Sequence, residues 1–182
     1  YHPVVERFER IELLKGPQQL LFGPQTIGGT INYLTPPPRS EFGGYGRVAV
    51  GEHGYRDARL QVGGRNLLFD YLRKQSHGSR QNMQSVLDDI NLKAAVRVGA
   101  NQAVTLRANY YAEDSMLTYS GLTQAEYERL GARYTPFAND TFNGERIGWS
   151  ATHKAPSGDA SVVTTNVYYA RFSRNWWRQS ST

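Results

Sequence analysis

The chain has 182 residues, 21 Lys and Arg against 16 Asp and Glu, a formal net charge of +5, no cysteine and a mean hydropathy of −0.59. Without cysteine it holds no disulfide and no Cys-ligated zinc or iron–sulfur site, and no stretch approaches the roughly 20 consecutive apolar residues of a membrane helix. The low hydropathy does not exclude a membrane barrel, whose strands alternate apolar and polar residues.

The basic residues are scattered and form no run. They read as solvated surface, or as attraction to an anion or to anionic lipid, rather than as a nucleic-acid interface. Tyr1-His2-Pro3 has neither the charged region nor the apolar region of a signal peptide. The chain stops at Ser180-Ser181-Thr182 just after an aromatic stretch, and both ends are expected to be cut from a longer protein.

Residues 1–38 differ from the rest. Val5 to Leu14 mixes apolar and charged residues, and Lys15-Gly16-Pro17 breaks the pattern. After Gly23-Pro24 and Gly28-Gly29, Thr30-Ile31-Asn32-Tyr33-Leu34 reads as a short strand. Pro36-Pro37-Pro38 cannot donate to a ladder and reads as a stiff connector, so a domain boundary is expected there, dividing 1–38 from 39–182.

From Phe42 onward the period is two. Strands are expected over 43–50, 56–63, 67–75, 89–98, 103–113, 145–154 and 161–174, each with an apolar and a polar face. Ala58, Leu60 and Val62 oppose Asp57, Arg59 and Gln61, for example, and Ile147, Trp149 and Ala151 oppose Arg146, Ser150 and Thr152. The connections at 63–66, 99–102 and 155–159 are tight turns, whereas 76–88 and 114–144 are long; 51–55 is short where a long one is due. The fold class is all-β. Short turns on one side and long loops on the other suit an outer-membrane barrel. A soluble barrel or sandwich would instead turn the apolar face inward. About seven antiparallel strands cannot close their hydrogen bonds in lipid, so further strands are expected beyond this sequence.

Glu9-Arg10-Ile11-Glu12-Leu13-Leu14-Lys15-Gly16-Pro17, followed by Leu21-Phe22-Gly23-Pro24-Gln25-Thr26-Ile27-Gly28-Gly29-Thr30-Ile31-Asn32-Tyr33-Leu34-Thr35, resembles the end of the plug of TonB-dependent outer-membrane receptors. Phe22 stands where the family usually has Tyr. The form Gly23-Pro24-Gln25-Thr26-Ile27-Gly28-Gly29 is similar to the ferric citrate group, as are Asp88-Asp89-Ile90-Asn91-Leu92-Lys93, Ser120-Gly121-Leu122-Thr123-Gln124-Ala125-Glu126-Tyr127 and Tyr168-Tyr169-Ala170-Arg171-Phe172-Ser173-Arg174. The resemblance implies the C-terminal part of a plug over 1–38 and, over 39–182, the first strands of a transmembrane barrel of about 22. It further implies a Gram-negative outer-membrane location, a ferric chelate as ligand, and a TonB–ExbB–ExbD energy complex engaged through a TonB box upstream of Tyr1.

Within the plug motif, Gly16, Pro17, Gly23, Gly28 and Gly29 are expected to set backbone geometry. Ile11, Leu13, Ile31 and Tyr33 are expected to cover a small core. Arg10, Glu12 and Asn32 complete the motif, with Arg10 and Glu12 as either plug–barrel contacts or a plain surface ion pair.

For a carboxylate-rich ferric chelate, arginine is the fitting residue, because its planar fork donates two parallel hydrogen bonds. The resemblance places a ligand-binding arginine at the strand end carrying Arg174, which shares the parity of Thr164, Asn166 and Tyr168. Arg178 and Arg80 are further candidates. Of Trp176 and Trp177, one is expected in the aromatic girdle. His53, His77 and His153 lack metal-ligand spacing, the iron arriving already chelated, so no metal site or cofactor is expected. Asp88-Asp89 reads as turn chemistry at a loop-to-strand junction. No phosphate loop, HExxH or nucleophile elbow is present, and the protein is not expected to be an enzyme. A passive porin or adhesin-like barrel, or TonB-dependent uptake of another ligand, is the alternative function; a soluble β-sheet binding module is a third.

Overall fold

Period-two alternation becomes antiparallel sheet in the computed structural model, which describes residues 4–16, 28–158 and 160–179. The chain divides into two compact units, Tyr1–Pro37 and Pro38–Thr182.

In the first unit a 3₁₀ turn, Val5–Arg7, leads into an antiparallel hairpin of β1 (Arg10–Lys15) and β2 (Gly29–Leu34). Pairing runs from Arg10↔Leu34 to Lys15↔Gly29, so Ile11, Leu13, Ile31 and Tyr33 share one face. Gly29 is required where it stands: its φ is +146°, and a Cβ there would meet the Leu14 carbonyl oxygen at 2.8 Å. Among the described residues these four remain about half exposed (48–65%). Phe8 covers Tyr33, their rings stacked at 4.5 Å. Two strands alone have no second layer to bury a face against.

The second unit is a seven-stranded meander in chain order: β3 (Gly43–Val50), β4 (Arg56–Gly64), β5 (Leu67–Ser76), β6 (Ser85–Val98), β7 (Gln102–Met116), β8 (Thr141–Ser157) and β9 (Ser161–Trp177). Each register holds its offset from end to end. Parity therefore carries across the whole sheet. Asp57, Arg59 and Gln61 share a face with Asp70, Asp89, Asn91, Lys93, Asn109, Arg146 and Arg174. Leu60, Leu67, Leu92, Leu106, Ile147 and Trp149 share the other.

Burial on the two faces is the reverse of a soluble sheet. The most enclosed side chains are Asp57 (2%), Asp89 (1%) and the loop residue Asp140 (1%), whereas Leu67, Leu92, Ile147 and Trp149 stay about half exposed (49–54%). No second sheet covers the apolar face among the described residues. A face of Leu, Ile, Val and Trp left bare over five strands has the pattern of the lipid side of a membrane barrel, with the polar face in the position of a lumen; the two are called the outward and lumen faces below. Among the described residues no two sheets enclose the dry interior that a sandwich requires.

Toward the long-loop end, the apolar face closes with aromatic residues. Tyr71 is level with Ile90 and Tyr110, and on the next two strands Trp149 and Tyr169 pair and stack at 6.3 Å. Such a belt is what a barrel sets at the membrane–water interface. Beyond it the outward positions of β9 turn polar, at Arg171, Ser173 and Asn175.

The tightest turn, Arg65-Asn66, has φ of +52° and +61°, the type I′ geometry that suits a two-residue hairpin. Asparagine tolerates this region; arginine does so rarely. Two backbone bonds hold it, Arg65 N–H to the Ser40 carbonyl (3.0 Å) and Asn66 N–H to the Arg39 carbonyl (2.7 Å).

At the opposite end the strands outrun the sequence reading. β6 begins at Ser85, β7 reaches Met116, β8 begins at Thr141 and β9 reaches Trp177, which shortens the long loops to 77–84 and 117–140. Asp88 and Asp89 thus lie inside β6, not in a turn. Asp88 points outward and accepts from Arg73 and the Tyr71 hydroxyl (2.7 Å each), while Asp89 is buried on the lumen face beside Asn91. The longer loop carries a helix, α1 (Gln124–Leu130), started by a Thr123–Glu126 capping box.

Candidate functional site

The lumen face separates into a wall of paired charges and a rim. In the wall, Asp57 accepts two bonds from Arg47 (2.8 and 2.9 Å) and one from the Tyr55 hydroxyl (3.2 Å), and Lys74 lies 3.6 Å away. Asp70 takes a bidentate pair from Arg59 (2.9 and 2.6 Å) and a third bond from Gln61 (3.1 Å), with Arg39 donating to Gln61 (3.3 Å). Both carboxylates find a cation on a neighbouring strand because constant register puts their parities together. Arg146 donates to Asn109 at 3.0 Å across Gly148, where a Cβ would sit 2.8 Å from the Asn109 oxygen.

The rim is different. Arg174 lies on β9 directly across from Gly144, which in turn faces Glu113 on β7. Glu113 is held by the hydroxyls of Tyr111 and Ser115. With no side chain at Gly144, the rings of Phe142 and Phe172 approach: a Cβ there would meet them at 3.0 and 3.6 Å. Trp176, two residues beyond Arg174 and so on the same face, meets Tyr119 at a tilt, with ring centres 5.0 Å apart, and Phe142 edge-on at 6.5 Å.

Two of the candidate arginines lie on this cluster. The Arg174 guanidinium is 5.7 Å from the Trp176 ring, and that of Arg178 is 4.8 Å from Tyr119 and 5.7 Å from Trp176. Among the described residues neither has a carboxylate or hydrogen-bond partner. An aromatic face orients a guanidinium while leaving its N–H fork in the plane free to donate. The arrangement is suited to an anion with several carboxylate oxygens.

The remaining candidates are placed as follows. Arg80 lies apart from this cluster, its fork closed on backbone carbonyls of the 117–140 loop. Trp177, on the opposite parity from Trp176, faces outward and is 63% exposed, separated from the aromatic belt by the polar outward positions of β9. In the hairpin, Arg10 and Glu12 form an ion pair at 2.8 Å, and Asn32 donates to Glu12 at 3.0 Å from the facing strand. Gly16 takes a left-handed φ of +84°, and Gly28 has open space around it. Pro17 and Gly23 lie outside the described residues. His53 contacts Arg133 at 2.8 Å and His153 contacts Gln102 at 2.8 Å. Sequence reading misses Tyr119 and Phe142, because nothing local marks a loop tyrosine that folds onto a strand end.

No family model matches the chain. Over 92 residues, half of this chain, it is 29% identical to the ferripyoverdine receptor of Pseudomonas aeruginosa, covering 11% of that protein. Its fold superposes on the crystal structure of the ferric citrate transporter FecA in the unliganded form, with a TM-score of 0.77 and 20% identity, over 96% of this chain and 28% of that one. The chain is thus similar in sequence to one receptor and in fold to a barrel transporter. It spans less than a third of the length of either relative. The relatives are receptors and transporters, not enzymes.

Proposed function

We propose that the protein to which this chain belongs is an outer-membrane transporter that binds a ferric chelate, ferric citrate or a related carboxylate siderophore, and moves it into the periplasm. Residues 1–38 are the end of the plug and 39–182 the beginning of the barrel. The energy comes from the TonB–ExbB–ExbD complex, as the resemblance implies. The work is binding and gated passage, with no covalent bond made or broken.

One observation carries the ligand class. Arg174 and Arg178 converge on Trp176 at the loop end of the lumen face, their forks without a carboxylate among the described residues. An iron chelate presenting carboxylates would accept charge-assisted hydrogen bonds from both. Arg174 is the primary contact and Arg178 the second. The names of the two relatives, a ferripyoverdine receptor and a ferric citrate transporter, support an iron chelate as cargo.

The test is titration of the full-length receptor with ferric citrate, a ferric catecholate and a ferric hydroxamate. Ferric citrate is expected to bind tightest, and Arg174→Ala to weaken it by about tenfold or more. Undiminished affinity in that variant would remove Arg174 from the site; preference for the catecholate would remove the carboxylate ligand.

A further inference from the structure

The loop 77–84 is tied to the loop 117–140 at several points, and one tie ends beside the rim. Arg80 donates from Nε and Nη2 to the Tyr134 carbonyl (3.2 and 2.9 Å) and from Nη1 to the Ser120 carbonyl (3.0 Å). These two carbonyls belong to the outgoing and returning legs of one long loop, on either side of α1. The neighbouring Gln81 N–H donates to the Arg133 carbonyl (2.7 Å), and the buried Asn82 amide donates to the carbonyls of Asp140 (3.0 Å) and Phe137 (3.4 Å). Thr118 and Thr135 share a hydroxyl–hydroxyl bond at 2.6 Å, so the legs are also buttoned beside Arg80.

Ser120 adjoins Tyr119, the ring that packs at a tilt on Trp176 and lies under Arg178. Anchoring the Ser120 carbonyl fixes the chain one residue beyond Tyr119 and so narrows the positions open to the Tyr119 ring. Without it, Tyr119 would ride on a long connection whose many conformers oppose any one placement.

We propose that Arg80 is a positioning residue: its planar fork clamps Ser120 and Tyr134 together and so fixes Tyr119 in the arginine–aromatic platform of the rim. The inference rests on the ligand site proposed above. It assigns Arg80 a role through Tyr119 instead of a direct contact with the chelate. Geometry, not charge, is what the clamp uses, since only a fork bridges two carbonyls from one rigid plane.

The test uses the full-length receptor with ferric citrate as probe. Arg80→Gln and Arg80→Lys are both expected to weaken binding, by about five- to tenfold, a typical coupling between a remote residue and a site. Their salt dependence should match wild type. In a Tyr119→Ala background, which itself weakens binding, Arg80→Gln should add less than about twofold, because the two residues act in series. Wild-type affinity in Arg80→Lys beside a loss in Arg80→Gln would show that charge is what matters and overturn the clamp. So would an Arg80→Gln loss that persists without Tyr119, or no loss in either single variant. If wild type fails to bind ferric citrate, the ligand reading fails, and amide exchange decides the clamp independently. Faster exchange over 118–122 and 133–136 in Arg80→Gln supports it; unchanged exchange overturns it.

Discussion

In the wall of the sheet the lumen-side carboxylates of Asp57, Asp70 and Asp89 have close polar partners, while at the rim Arg174 and Arg178 have aromatic rings for neighbours. One sheet makes both regions, with the carboxylates on β4, β5 and β6 and the arginines on and just after β9. The wall buries its charges against each other, which holds adjacent strands in register and offers a passing ion little net charge. The rim keeps its positive charge available by surrounding it with Tyr119, Phe142 and Trp176, and its Glu113 is turned to the hydroxyls of Tyr111 and Ser115. Net charge is thus a poor guide to binding here; which positive groups lack a carboxylate is the useful quantity.

That contrast can be broken most forcefully in the wall. Asp70→Ala would leave Arg59, whose side chain is 10% exposed, without its bidentate partner. The expected loss is about 3–5 kcal/mol, because the remaining charge stays enclosed. Reversible urea unfolding of the full-length barrel in lipid vesicles measures it; a loss under about 1 kcal/mol would mean that the wall pair behaves like an exposed one.

At the rim, Arg174→Ala combined with Arg178→Ala should leave stability near wild type and act on binding. Ferric citrate affinity in the double variant is expected to become less sensitive to ionic strength than in wild type, since two charges facing an anion are removed. An unchanged salt slope would place the anion elsewhere.

The smallest effect concerns α1. The Glu126 carboxyl is held below the usual carboxylate range, first by the Thr123 backbone N–H and then by the Thr123 hydroxyl. A lowered folded-state value stabilises the cap fully above the ordinary glutamate range. That contribution fades as pH falls from there through the lowered value. Amide exchange at the start of α1 should therefore quicken on acidification, and Glu126→Gln should flatten the trend. A helix equally protected on both sides of that window would show the capping box to be idle.

Much of the sheet is legible in the alternation, and the reason is physical. With no bulge between Ser161 and Trp177, the parity of Arg174 follows from Thr164 and Asn166 alone. The faces of Trp176 and Trp177 follow from the same count carried two or three residues further. Strand ends are less legible. Toward the long-loop end the outward face turns polar, so Asp88, Asp114 and Glu145 interrupt the pattern while the ladder continues.

The loops are hardest to read. The Thr123–Glu126 box is a local signature of a helix start, yet it lies in a stretch whose family likeness alone says nothing of a helix. The partners of Arg80 lie 40 and 54 residues away in the chain, and no periodicity reports a contact of that range. An arginine in a loop reads the same whether it greets a ligand or ties down a carbonyl.

Arg174 follows Tyr169, the belt residue of β9, by five positions. That is about 16 Å along the strand and, at a tilt of ~45°, about 12 Å in height. The rise exceeds the screening length of ~8 Å at physiological salt, over which a surface potential decays. In the receptor proposed above, the arginines would therefore stand on a parapet over the negative head-group layer, where an approaching anion would meet their field ahead of the repulsion from the membrane beneath.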